Sequence, residues 1–215
     1  MVDVQLNGRG LHDDPPNLRT ILQAELDTIS APYDAFVLAY GLCGGATAGL
    51  QAGSIPLVVP RAHDCITLFL GDRARYQADF AANPGTFWYV QDYLERTDDT
   101  SAFGGVGAVS DAAARATHEE YVAKYGEDNA AYLMEVLGEW RSHYNRAAFV
   151  EMGVAAPEAA AAAEGRARED ADRRHWRFDR VAGELLLIER LIDGAWDPAD
   201  YLVLEPGERV AMSYD

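Results

Sequence analysis

Apolar runs that alternate with a segment of helical spacing constrain what this chain can fold into. Residues 35–40 and 55–60 are almost entirely apolar, which is typical of strands that are buried on both faces. Before these runs, residues 17–29 carry leucine and isoleucine at helical spacing. Strands that alternate with helices favour a parallel sheet. We therefore predict an α/β fold with a parallel sheet flanked by helices, in a Rossmann-like three-layer architecture.

The rest of the chain continues this mixture of patterns. Further strands are predicted at residues 2–6, 86–90 and 201–204, and further helices at residues 66–80, 112–153, 157–174 and 184–192. We expect the strand at 86–90 to extend the same sheet, and the alanine-rich helix at 157–174 to be solvated or mobile. The prediction is one domain over residues 1–215, with a helical insertion or lid at about 110–175.

The chain has two cysteines, and each follows one of the two apolar runs. Cys43 lies in the sequence Tyr-Gly-Leu-Cys-Gly-Gly, and Cys65 ends the sequence Pro-Arg-Ala-His-Asp-Cys. Ligands of open α/β sheets bind at the carboxyl ends of the strands, which is where both cysteines are expected. The sequence therefore predicts a functional site at this edge of the sheet.

Glycines surround the first cysteine. Gly41, Gly44 and Gly45 allow a close backbone approach and positive φ angles, so we expect them to bind a cofactor or substrate. In such a turn Cys43 is suited to act as a catalytic nucleophile or as a metal ligand. The alternative is a small cysteine that is simply packed beneath a glycine turn.

The second motif places several polar side chains together. His63 and Cys65 are ligand-type residues, and with Cys43 and His12 they form a Cys2His2 set that suits zinc or iron. The spacing matches no standard zinc finger. His12 is otherwise an ordinary loop residue.

Three residues of the second motif are also candidates for catalysis. His63 is a candidate base, Asp64 would orient a histidine, and Arg61 would bind an anionic substrate. The alternative for Arg61 is a salt bridge to a surface acid.

The charge balance excludes several classes of partner. With 35 acidic and 18 basic residues, the formal net charge is −17, which repels nucleic acids and anionic lipid surfaces. The sequence shows no membrane span and no secretory leader, so we predict a cytoplasmic protein. Phosphate-loop, dinucleotide-binding, serine-hydrolase and HExxH metalloprotease motifs are all missing from the sequence.

The cysteine motifs resemble those of an uncharacterised family known as DUF1638. The matching segments are residues 11–13, 40–44, 60–66, 69–71, 84–86 and 124–130, together with 185–191, 196–197 and 206–207 near its closing portion. Members usually begin with an additional strand and turn that carry a further cysteine. The resemblance therefore implies that this chain starts at the family's second strand and lacks that thiol.

The resemblance also implies a metabolic context, because family members often accompany corrinoid-dependent methyl-transfer systems. Three hypotheses follow. The first is a metal-dependent enzyme, a transferase or lyase, that acts on a small anionic molecule. The second is a carrier or accessory protein that binds a metal, an iron–sulfur cluster or a corrinoid, and the third is a metal-free enzyme with Cys43 as nucleophile. The expected partners are a second copy of the chain or a partner methyltransferase.

Overall fold

The computed structural model describes most of the chain and shows a mixed α/β protein. The described residues are 2–8, 11, 14–29, 33–42, 45–91, 122–124, 126–127 and 143–211. The helices are α1 (Pro15–Thr28), α2 (Cys65–Leu70), α3 (Arg73–Ala82), α4 (Pro157–Arg174) and α5 (Leu186–Asp193). The strands are β1 (Phe36–Val37), β2 (Leu57–Pro60), β3 (Thr86–Val90), β4 (Arg146–Glu151), β5 (Arg177–Ala182) and β6 (Tyr201–Leu204).

The chain forms two compact units. The first combines Met1–Tyr76 with Glu184–Asp215, and the second is Gln77–Gly183. The predicted single domain with an insertion at about 110–175 stays a prediction, because most of residues 110–142 lie outside the described part. Among the helices that the structure describes, each is too short or too polar to cross a lipid bilayer.

The first unit contains a three-stranded sheet in the order β1-β2-β6. Strands β1 and β2 are parallel, as predicted, with Phe36 opposite Leu57. Strand β6 is antiparallel to β2, with Leu204 also opposite Leu57. The predicted strand at 35–40 is shortened to Phe36–Val37.

Side chains of β2 alternate between the two faces of this first sheet. Both faces are therefore apolar, and helices cover each of them. Leu57 and Val59 pack in one cluster with the leucines of α1, whereas Val58 packs in another with side chains of α2 and α5. All four residues of β2 are buried. Burial of each such aliphatic side chain contributes about 1.5–3 kcal/mol, so β2 is the centre of this unit's core.

The amino-terminal residues do not form the predicted strand. Residues 2–8 have no strand pairing, and Val2, Val4 and Leu6 are exposed. The alternation of apolar and polar residues predicted a half-buried strand, but no strand among the described residues pairs with it. Hydrogen bonds from polar residues of the segment attach it to α1, including the one from Gln5 to Glu25 (2.6 Å).

The predicted helix at 66–80 is divided into α2 and α3 at a glycine. Gly71 caps α2 in the left-handed conformation, with φ of 71°. An added Cβ at this position would lie 2.7 Å from the Glu184 Cβ. Both the backbone angle and the close neighbour therefore require glycine where the two helices meet.

The second unit contains an all-parallel sheet in the order β3-β4-β5. Strand β3 therefore belongs to a separate sheet, and the prediction that it extends the first sheet is wrong. The predicted helix at 112–153 is also wrong at its end, where residues 146–151 form β4. Pairing with parallel neighbours on both sides outweighs the helical preference of the alanines in β4.

Helix α4 connects β4 to β5 and has the predicted bounds. Its buried residues, Ala163, Ala167 and Ala171, lie four residues apart and pack with Phe87 and Phe149 of the sheet. The helix is thus docked along one face through small side chains, which lets it approach the aromatic residues closely.

A buried tyrosine joins the end of α4 to the second sheet. The Tyr89 hydroxyl donates a hydrogen bond to Asp170, which also pairs with Arg173 and Arg174. Burial raises the pKa of Asp170, but the hydrogen bonds from Tyr89 and Arg173 and the charge of Arg174 outweigh it, so the pKa lies below its usual value. Burial and the bond to Asp170 raise the pKa of Tyr89. The tyrosine is therefore a hydrogen-bond donor that stays protonated.

Candidate functional site

The two predicted loops lie side by side at the carboxyl ends of β1 and β2. The backbone pairing of these strands continues beyond β1, where the Leu38 amide donates to the Val58 carbonyl (2.9 Å). The Tyr40 amide donates to the Leu38 carbonyl (2.8 Å) and interrupts the pairing, and in the loops the Leu42 amide donates to the Ala62 carbonyl (2.9 Å). A backbone hydrogen bond therefore joins the glycine-rich loop to the loop that precedes Cys65.

The loops touch at a glycine. An added Cβ on Gly41 would lie 2.7 Å from the Asp64 carbonyl carbon and 2.9 Å from its Cα. Both neighbours are backbone atoms, which cannot move aside as the end of a flexible side chain can. Gly41 is thus required for this approach because it has no side chain. Its predicted role in binding a cofactor or substrate stays a prediction.

Asp64 fixes the second loop to the helices that follow it. One carboxylate oxygen accepts hydrogen bonds from the amides of Ile66 (3.0 Å) and Thr67 (3.4 Å), so Asp64 is the N-cap of α2. The other oxygen accepts from the Tyr76 hydroxyl (2.6 Å). Both oxygens therefore already hold structural hydrogen bonds.

His63 and Cys65 differ in exposure. The His63 side chain is 80% exposed, and its Nδ1 lies 3.8 Å from the second Asp64 oxygen, which is longer than a hydrogen bond. Cys65 is half-buried as the first residue of α2. His63 is therefore accessible to a ligand or a substrate, whereas Asp64 does not hold its ring at hydrogen-bond distance.

Arg61 contacts the segment that precedes β6. Its Nε donates to the Pro198 carbonyl (2.9 Å), and its main-chain amide donates to the Asp200 carbonyl (2.7 Å). The guanidinium thus binds a backbone carbonyl through one of its donors. Its predicted role in orienting an anion stays a prediction for the remaining N–H groups.

An arginine that the sequence did not single out contacts the glycine-rich loop. Arg19 of α1 donates from Nη2 to the Gly45 carbonyl (2.5 Å). Gly45 has φ of 84°, and its amide donates to the Leu42 carbonyl (2.8 Å). In the sequence Arg19 follows Leu18 within the predicted helix, and that position gives no signal of a contact with Gly45.

Several predicted site residues cannot be placed in this geometry. His12, Cys43 and Gly44 lie outside the described residues. Within the residues that are described, no three His, Cys, Asp or Glu side chains form a group that could hold a metal ion. His63 and Cys65 offer an imidazole and a thiol, a donor chemistry that fits zinc or iron, but they are only two of the four predicted ligands. The Cys2His2 set stays a prediction.

The chain matches the model of a known protein family. Residues 7–192 match the family model described as "Protein of unknown function (DUF1638)". The matched region contains both loops of the candidate site and the whole of the second unit. No curated protein and no solved structure matches the chain.

Proposed function

The chain belongs to the DUF1638 family, and on that premise we propose that it is a metal-dependent enzyme that acts on a small molecule. Its site would lie between the two loops at the carboxyl ends of β1 and β2. The observation that carries this proposal is the backbone contact of Gly41 with Asp64, which holds the loop containing Cys43 against the loop preceding Cys65.

The proposed ligands are Cys43 and Cys65, with His63 and His12 completing or supporting the set. Zinc or iron would act as a Lewis acid toward a heteroatom of the substrate. His63 is exposed enough to reach such a ligand or to exchange a proton with substrate. Asp64 keeps the second loop in place through its cap of α2, and it is a positioning residue in this proposal.

The finer features of the prediction are part of the same proposal. Coverage of the first sheet by α1 on one face and by α2 and α5 on the other supports a Rossmann-like three-layer arrangement. The net charge of −17 supports a small-molecule substrate over nucleic acid. We propose a cytoplasmic location, and methyl transfer linked to a corrinoid system as the reaction context.

The test is the metal content of the full chain after anaerobic purification without a metal-affinity column. Elemental analysis should find near-stoichiometric zinc or iron, and Cys43→Ser and Cys65→Ser should lose it while keeping the native circular dichroism spectrum. His63→Ala should bind the metal more weakly, whereas His143→Ala, which changes another exposed histidine, should not. Normal metal content in both cysteine variants would overturn the proposal.

The metal-free alternative is supported by one distance, the 3.8 Å between His63 Nδ1 and Asp64 Oδ2. A small movement would turn this approach into the hydrogen bond of a nucleophile–base–orienter set. Rapid stoichiometric alkylation of Cys43 near neutral pH, in protein that holds no metal, would favour this alternative. Acid-labile sulfide or a visible chromophore, with no turnover of small molecules, would instead favour the carrier hypothesis.

A further inference from the structure

Two side chains approach the same oxygen of Asp64. The Tyr76 hydroxyl donates a hydrogen bond to Asp64 Oδ2 (2.6 Å), whereas Nδ1 of His63 lies 3.8 Å from that oxygen. The other oxygen, Oδ1, accepts hydrogen bonds from the amides of Ile66 and Thr67. Because Oδ1 is committed to the cap of α2, Oδ2 is the oxygen that His63 and Tyr76 share.

The Tyr76 hydroxyl is a fixed donor, because the first turn of α3 is held at several points. The Tyr76 amide donates to the Asp72 carbonyl (3.2 Å), and the Asp72 carboxylate accepts from the Arg75 amide (2.9 Å). The Arg75 guanidinium donates to the Leu70 carbonyl (3.2 Å) at the end of α2. Tyr76 is half-buried, whereas the side chain of His63 is 80% exposed, and exposed side chains change rotamer rapidly. Tyr76 is therefore the better placed of the two donors.

We propose that Tyr76 is a positioning residue of the candidate site, which occupies Asp64 Oδ2 and so keeps Nδ1 of His63 free to bind a metal ion or to accept a proton. This inference rests on the proposed function, in which His63 does one or the other. A neutral imidazole has one N–H, and its hydrogen bonds decide which nitrogen carries the proton. A hydrogen bond to Asp64 would place the proton on Nδ1, and that nitrogen would no longer have a lone pair for a metal ion.

The two donors compete because they need the same lone pairs and the same negative charge. A carboxylate oxygen can accept a second hydrogen bond, but the bond from Tyr76 already uses part of its capacity. If the hydroxyl is removed, Oδ2 becomes a stronger acceptor for His63. The exposed imidazole then needs to move by less than about 1 Å to reach hydrogen-bond distance.

The test is the position of the His63 proton in Tyr76→Phe. Side-chain ¹⁵N NMR of the full chain at about pH 8.5, where unperturbed imidazoles are neutral, shows which nitrogen carries the proton. The spectrum of His63→Ala assigns the signals. In the wild-type chain the proton should be on Nε2. In Tyr76→Phe the ratio of Nδ1–H to Nε2–H should rise about threefold or more, because a hydrogen bond to a carboxylate is gained.

Tyr201→Phe is the matched control. The Tyr201 hydroxyl donates to the Leu187 carbonyl, also at 2.6 Å and in the same unit. Its removal should lower the stability of that unit as well, but it should leave the His63 proton on Nε2. An unchanged His63 spectrum in Tyr76→Phe would overturn the inference. An equal change in Tyr76→Phe and Tyr201→Phe would overturn it too, because general loosening of the unit would then explain the effect.

Asp64→Asn tests the same point with Tyr76 intact. Asparagine can cap α2 but has no carboxylate that could capture His63, so the proton should stay on Nε2. Adding Tyr76→Phe to this variant should change nothing, because Tyr76 acts through the carboxylate. A change of about threefold between wild type and Asp64→Asn would show that Asp64 already holds His63 in the wild-type chain. That result would overturn the inference even if Tyr76→Phe does not fold.

The spectrum requires neither metal nor turnover, which separates this inference from the proposed function. A chain that holds no metal but moves the His63 proton in Tyr76→Phe would refute the metal proposal and support the role of Tyr76. A chain that loses its metal in the cysteine variants but keeps the same His63 spectrum in Tyr76→Phe would give the opposite result.

Discussion

Replacing Gly41 with alanine tests the contact on which the candidate site depends. The new methyl group would lie 2.7 Å from the carbonyl carbon and 3.1 Å from the carbonyl oxygen of Asp64. The φ angle of Gly41 is not in the left-handed region, so alanine adds no backbone strain of its own. The substitution therefore acts through the distance between the two loops.

The size of the effect follows from these contacts. The loops must separate by several tenths of an ångström before the methyl group reaches ordinary van der Waals distance. Overpacking of this kind costs about 1–3 kcal/mol, and loss of the Leu42–Ala62 hydrogen bond adds about 1 kcal/mol. We expect Gly41→Ala to lower the free energy of unfolding of the first unit by about 2–4 kcal/mol.

Hydrogen exchange in increasing urea is the suitable assay, because two compact units can unfold separately. Peptides that cover residues 57–70 report on β2, the second loop and α2. Gly8→Ala is the matched control, because a Cβ at Gly8 meets no atom within 4 Å. If the free energies of unfolding of Gly41→Ala and Gly8→Ala differ by less than about 0.5 kcal/mol, the loops separate without energetic cost and the steric argument is wrong.

Three further predictions concern caps, helix propensity and pH. Asp64→Ala removes the cap of α2 and the acceptor of the Tyr76 hydroxyl, so urea denaturation should show a free energy of unfolding about 1–2 kcal/mol lower. Asp64→Asn should lose less stability because asparagine can still cap the helix. Equal losses in the two variants would contradict the capping role. Gly165 lies inside α4, and a Cβ added there meets no atom within 4 Å. Gly165→Ala should therefore stabilise the second unit by about 0.5–1 kcal/mol in thermal denaturation. A destabilisation would show that the added methyl group meets a neighbour. Because the pKa of Asp170 is lowered in the folded state, its stabilising effect is complete well above pH 3.8 and is lost as the pH falls through the folded-state pKa. The difference in free energy of unfolding between wild type and Asp170→Asn should therefore shrink below pH 3.8. A difference that stays constant in acid would refute this linkage.

Local patterns predicted the individual elements better than their partners. Helix α4 begins at Pro157 and ends at Arg174, with His175 as its C-cap. Its bounds agree with the prediction, and proline is favoured in a first helical turn. Its alanine-rich sequence predicted a solvated or mobile helix, whereas three alanines spaced four residues apart form a buried stripe. Alanine is nearly neutral in hydropathy, so composition alone does not show that such a stripe is packed.

The division into two sheets was not predictable from periodicity. An apolar run such as residues 86–90 indicates a buried strand but does not specify which strand it pairs with. The sequence of β4, with two adjacent alanines, resembles a helix until its two parallel neighbours are known. Such pairings depend on contacts between residues that are distant in sequence.

For the candidate site, the sequence predicted which loops meet but not every residue that contacts them. Parallel β1 and β2 place their carboxyl ends together, so the approach of Gly41 to the second motif follows from the fold. The cap formed by Asp64 follows from its position just before a helix. Arg19 was missed because it lies within α1, and only the folded chain brings it to Gly45.

The order of the strands in the first sheet also bears on synthesis of the protein. Strand β2, which leads into the second loop, is central and pairs with β1 on one side and with β6 on the other. The ribosome makes β2 early and β6 more than a hundred residues later. The second unit is continuous in sequence and can fold as soon as it emerges, whereas the sheet that supports the site waits for Tyr201–Leu204. A nascent chain stalled before β6 should therefore protect β3, β4 and β5 from protease while β2 is still cleaved.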